Sequence, residues 1–153
     1  MIVLRPAQQS DVLAMRNRFR RADVDELLLS HLVDPEEALQ EGILRSQVAL
    51  TGFYDGRPIA IAGLNRPWVL SDKGAPWMVG TVDLERPELR RDFLKASRQV
   101  LDAFVGLSPK MENWVYTGNR LAIRWLRWLG FTLHPAERYG VGGALFHRFT
   151  MGV

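Results

Sequence analysis

W-V-Y-T-G-N-R-L-A-I-R-W-L-R-W-L-G-F, residues Trp114 to Phe131, reads without ambiguity as a strand, a sharp turn and an amphipathic helix. Trp114 to Thr117 is aromatic and β-branched, as a buried strand is, and Gly118-Asn119 breaks it and offers a helix cap. From there the period changes from two to 3.6. Ala122, Trp125, Leu126 and Leu129 make one apolar face, and Arg120, Arg124 and Arg127 recur on the other. Gly130 stands where a left-handed C-cap belongs, and Phe131 opens a new strand.

The 153 residues are expected to form a single domain, 1–153, with an ordinary balance of 47% apolar and 24% charged residues that argues against disorder. No apolar run is long enough to span a bilayer, and Met1 to Pro6 lacks the apolar core of a signal peptide, so the protein is expected to stay where it is made. The absence of cysteine excludes disulfides, thiolate catalysis and cysteine-held metal, and His31, His134 and His147 are too dispersed for a metal cluster. A net charge of +3 permits an anionic partner without naming one, and no nucleic-acid recognition motif accompanies it.

Outward from the opening stretch, Met1 to Arg5 reads as a first strand and Ser10 to Arg21 as a helix. Leu27 to Val33 is either helix or packed loop. Asp34-Pro35-Glu36-Glu37, an N-cap, a proline and two acids, starts a helix that runs to about Ser46. Gln47 to Tyr54 and Arg57 to Leu64 form a hairpin around Asp55-Gly56. Asn65 to Pro76 is a loop, with room for a strand turn at Trp68 to Leu70, and Trp77 to Leu84 is a strand with Val79, Thr81 and Asp83 on one face. Pro87 to about Val105 is the longest helix, Thr132 to Arg138 and Ala144 to Met151 the last strands, with Gly140 to Gly143 turning between them. The expected order is β-α-α-β-β-β-α-β-α-β-β, an α/β fold with a mixed sheet.

That order, the opening V-L-R-P-A-Q-Q-S-D-V and the N-R-L-A-I-R-W-L-R-W-L-G-F unit resemble the GNAT N-acetyltransferase superfamily. Within it, Y-D-G-R-P-I-A-I-A-G, W-M-V-G-T and the E-R-Y…F-H-R-F-T-M-G ending resemble the GNAT-like internal virion protein A family of short-tailed bacteriophages and prophages. The resemblance implies that the fourth and fifth strands splay apart, and that acetyl-CoA enters the V, pairing with the fourth strand and resting its pyrophosphate on the next helix. Val79, Thr81, Arg86, Arg90, Arg91 and Asn119 are the cofactor-binding candidates that follow, and Asp83, with Glu112 behind it, is the candidate base.

The chain departs from the enzyme pattern twice. Between the fourth strand and its helix lies E-R-P-E-L-R-R, Glu85 to Arg91, without the glycines that let backbone N–H groups approach a pyrophosphate. Seven residues after Asn119, where many members carry a tyrosine that protonates the leaving thiolate, stands Leu126. The resemblance therefore implies one of two functions. One is a degenerate, non-catalytic virion or morphogenesis component whose partners are phage virion proteins, in the host cytoplasm or the particle. The other is an acetyl-CoA-dependent N-acetyltransferase acting on an amine of a small molecule or protein.

Overall fold

The structure, a computed structural model, describes residues 1–67 and 70–153. The strand turn expected from Trp68 falls on Trp68 and Val69, outside the described residues. Strand β1 (Val3–Pro6) leads into α1 (Gln9–Met15), which ends well before Arg21 because Asn17 takes a left-handed conformation, φ 65°. Asparagine tolerates that region where a β-branched residue would not. The chain restarts as α2 (Arg21–His31), which resolves the ambiguous leucine cluster as helix, closed by Leu32 at φ 56°. Helix α3 (Pro35–Arg45) begins as expected, with the Asp34 carboxylate accepting from Glu37 N–H at 2.9 Å. Three helices, not two, thus separate the first two strands.

Strands β2 (Ser46–Tyr54), β3 (Arg57–Asn65) and β4 (Ala75–Gly80) complete an antiparallel sheet ordered β1-β2-β3-β4. Strand β4 starts earlier and stops four residues sooner than expected, because Thr81 Oγ1 and the Thr81 carbonyl cap a 3-10 turn over Val82–Glu85. A second turn, Pro87–Leu89, precedes α4 (Arg90–Leu107). Then β5 (Met111–Tyr116), α5 (Arg120–Leu129), β6 (Thr132–Tyr139) and β7 (Ala144–Met151) form an antiparallel sheet ordered β5-β7-β6.

Among the described residues the two sheets pair where β4 and β5 begin. Gly74 N–H donates to Lys110 C=O and Glu112 N–H to Gly74 C=O, both at 2.9 Å, after which the parallel strands diverge. Alternation then sends side chains to two cores. Val12, Met15, Leu39, Ile61 and Val79 pack with α1 and α3 on one face; Leu64, Leu101, Phe104, Met111, Val115 and Leu126 pack with α4 and α5 on the other. Among the described residues no helix is long and apolar enough to cross a membrane.

Trp77 is the side chain that fixes α3 against β3: its ring covers Gly42 and Gly63, where no Cβ would fit, and its Nε1 donates to Ser46 Oγ at 2.8 Å. Gly63→Ala should cost about 1–3 kcal/mol through overpacking, read as a lower urea midpoint with an unchanged slope.

Candidate active site: two carboxylates in a split sheet

Diverging strands leave backbone groups without a ladder, and each must find another partner. Gly80 N–H points away from β3 and donates to Asp23 Oδ2 at 2.8 Å, while Gly80 C=O accepts from Arg20 N–H at 2.9 Å. Antiparallel alternation turns Pro76 and Met78 the same way. Pro76 has no N–H, and its carbonyl accepts from Asn113 Nδ2 at 2.8 Å. Met78 alone on this edge of β4 keeps an N–H and a carbonyl facing the V without a partner among the described residues. On the β5 edge, Trp114 N–H is taken by Asn113 Oδ1 at 2.9 Å and Tyr116 N–H by Glu26 Oε1 at 2.8 Å.

Helix α2 supplies both acidic partners, three residues apart and therefore on one face. Asp23 also holds Arg20 (3.0 Å), and Asn119 Nδ2 reaches Asp23 Oδ1 at 3.5 Å and Glu26 Oε1 at 3.4 Å. Asn119 is therefore not the side-chain cap of α5: it makes no capping hydrogen bond, is 2% exposed, and leaves Oδ1 buried and unpaired. It bridges from the β5 side to Asp23, which holds β4, and to Glu26, which holds β5.

Removal from water pushes the Glu26 carboxyl up to about 7, with Asp23 nearby adding to the rise and the Tyr116 N–H opposing it. Asp23 is raised as well, by burial first and against the pull of Arg20. A carboxyl that titrates near neutrality beside a cavity can take or give a proton at little cost. The cavity is one space of about 570 Å³ passing through the V, bounded by Glu26, Trp114 and Tyr139 on the α2 face and by Phe93, Ala96 and Val100 on the α4 face. Tyr139 stacks on Trp114 at 4.4 Å, and the β6–β7 turn is held to α2 by Val141 N–H donating to Ser30 C=O at 3.1 Å.

Of the residues proposed from sequence, Asn119 and Val79 line the cavity and the others do not. Asp83 sits in the 3-10 turn and not on β4, buried, its oxygens taken by Arg18 (2.6 Å), Arg57 (2.7 Å) and Thr81 Oγ1 (3.1 Å) with Arg86 at 3.7 Å. These contacts make Asp83 a tie between β3, the end of β4 and the α1–α2 link. Val79 lies in the α1–α3 core, and Thr81 is fully buried with its N–H and Oγ1 both donating to Ile59 C=O. Their parity directs their backbone N–H and C=O groups to β3 and not into the V. Glu112 pairs with Arg148 at 2.8 Å, and His134 and His147 are hydrogen-bonded within β6 and β7.

The same turns consume the backbone donors a pyrophosphate would need. N–H groups of Val82, Leu84, Arg86 and Leu89 donate to carbonyls of Arg18, Thr81, Asp83 and Arg86. Arg86 pairs with Glu88 at 2.8 Å, and Asp92 in the first turn of α4 pairs with the Met1 amino group at 3.1 Å. Arg90 and Arg91 are exposed and have no ion-pair partner among the described residues. Four backbone N–H groups between Val82 and Leu89 are therefore already paired within the protein.

No protein-family model matches the chain, and no curated protein sequence does. Solved structures match along its whole length. A GNAT-family acetyltransferase from Streptococcus pneumoniae superposes with a TM-score of 0.62 at 18% identity, covering 98% of each chain. The ribosomal-protein-S18-alanine N-acetyltransferase of Escherichia coli gives 0.66 at 15% identity, over 99% of this chain and 93% of the other. A ribosomal-protein-alanine N-acetyltransferase from Brucella melitensis gives 0.67 at 20% identity, over 97% of both. The chain has the GNAT fold, as its sequence order implied.

Asp83→Asn should destabilise the protein by on the order of 2–3 kcal/mol, below the figure for a fully enclosed pair because Arg57 is half exposed. Thermal and urea unfolding at pH 7 would measure it.

Proposed function

We propose that this chain is an N-acyltransferase that moves an acyl group from a thioester, acetyl-CoA being the simplest donor, to an amine, with Glu26 as the base. The observation that carries the reading is Glu26: a carboxyl held near neutrality, on the cavity, one hydrogen bond from β5. Glu26 accepts a proton from the amine as the N–C bond forms. When the C–S bond breaks, Glu26 returns the proton to the leaving sulfur, whose thiol is the weaker acid. One residue moving the proton both ways removes the need for a tyrosine at Leu126, which is buried in the α4–α5 core. The free Met78 N–H is the donor best placed for the carbonyl oxygen as it gains charge.

The reading of the chain as a degenerate virion component draws on the missing glycines, and those concern the nucleotide end of the donor only. An amine of a small molecule or of a protein terminus enters from the α2 and α3 face in this account.

Below pH 7 the rate should fall about tenfold per unit as Glu26 protonates. Glu26→Gln should lower thiol release by two to four orders of magnitude and flatten that profile. Assays with acetyl- and decanoyl-CoA over an amine panel would test both; an unchanged profile in the variant would remove Glu26 from the role. The folded protein holds the Glu26 proton above the unfolded value of 4.5, so stability is lost as pH rises from there to about 7. Glu26→Gln should accordingly gain stability at pH 8, up to about 3 kcal/mol.

A further inference from the structure

The cavity is larger than an acetyl group needs, and part of its lining lies on the α4 side of the sheet. There the cross-strand register lines up small side chains. Leu4 stands opposite Gly52, Gly52 opposite Ala60 and Ala60 opposite Gly80, a row crossing all four strands on one face. Beside it runs a second row, Leu50, Ala62 and Met78. Ala96 and Val100 of α4 form the roof, and Gly52, Ala60, Ala62, Leu50 and Leu4 all line the same space as Met78 and Glu26. The floor thus forms an apolar trough from the V to β1.

We propose that this trough is an acyl-chain site, so that the donor is a thioester of a medium-length fatty acid held by its chain, not by a nucleotide. The proposal rests on the N-acyltransferase reading above and specifies its donor. Three strand spacings from β4 to β1 come to about 14 Å, and an extended chain advances about 1.3 Å per carbon given its bond length, so the trough takes roughly ten carbons. With the thioester carbonyl at Met78, the tail lies across Ala62, Ala60 and Gly52. The balance of the reaction is unchanged: an N–C bond forms, the C–S bond breaks, and the amine proton ends on sulfur. This also accounts for the turn from Val82 to Leu89, four of whose N–H groups are already paired within the protein. A donor anchored by its chain needs no pyrophosphate cradle.

The test is binding of two series by calorimetry, S-acyl-CoA and S-acyl-pantetheine from two to sixteen carbons, with the full chain. Affinity should rise about fourfold per methylene and level off near ten carbons, with the same slope in both series. A flat CoA series, or a rise confined to the nucleotide-bearing compounds, overturns the site. So does a rise continuing unbroken to sixteen carbons, which marks surface adsorption. Ala60→Leu should move the plateau to shorter chains; if it fails to fold, Ala96→Leu narrows the trough from the roof, and the wild-type series decides by itself. A plateau near ten carbons with no thiol release to any amine upholds the site and defeats the transfer reading. Turnover of acetyl-CoA with no chain-length effect does the reverse.

Discussion

The open end of the gap between β4 and β5 is spanned by one carboxylate. Asp23 accepts from Gly80 at the end of β4 with one oxygen and from Arg20 and, at 3.5 Å, Asn119 just past β5 with the other, so a side chain of α2 links the two arms of the V well beyond the place where their own pairing ends. A split sheet exposes edge groups that water or another chain would otherwise claim. Here α2 and Asn113 answer several of them, and Met78 keeps its pair free among the described residues. Position and chemistry follow together: the residue one turn further on, Glu26, is carried into the same dry space, where the carboxyl that satisfies Tyr116 is also kept from ionising easily.

The fold was legible where local pattern and tertiary need agree. Trp114 to Phe131 is a strand, turn and helix in the structure because its apolar period is strong enough to survive without knowledge of its neighbours. The Asp34 cap and the Asp55-Gly56 turn are equally local. Ser10 to Arg21 was misread because Asn17 is compatible with helix and adopts a left-handed turn only to bring Phe19 beside Thr81. The end of β4 was missed for a related reason: Thr81, Val82 and Leu84 all favour strands, yet the Thr81 hydroxyl offers the following N–H a closer partner.

The site was less legible than the fold. Asp83, Val79 and Thr81 stood out because strand alternation suggested a common face, but the V is lined by backbone groups of the opposite parity. Glu26 carries no local signal at all. It sits among leucines in a segment of uncertain structure, and an isolated glutamate on a helix ordinarily faces water. Only the approach of β5 to α2, ninety residues away in sequence, makes it a buried acid. Asn119 was marked for a place in the V and occupies one, through Asp23 and Glu26 instead of through its own helix.

The departures at the β4–α4 link and at Leu126 are consistent with a donor site built on apolar area and on a single proton carrier. The single proton carrier depends on Glu26 being the group that titrates near neutrality, whereas the apolar site stands on the trough alone. The most direct measurement is a carbon-detected NMR titration of the glutamate carboxyls, with Glu26 assigned by its loss in Glu26→Gln. The account predicts one carboxyl with a midpoint near 7 that disappears in the variant; a Glu26 midpoint in the ordinary range near 4.5 would contradict it.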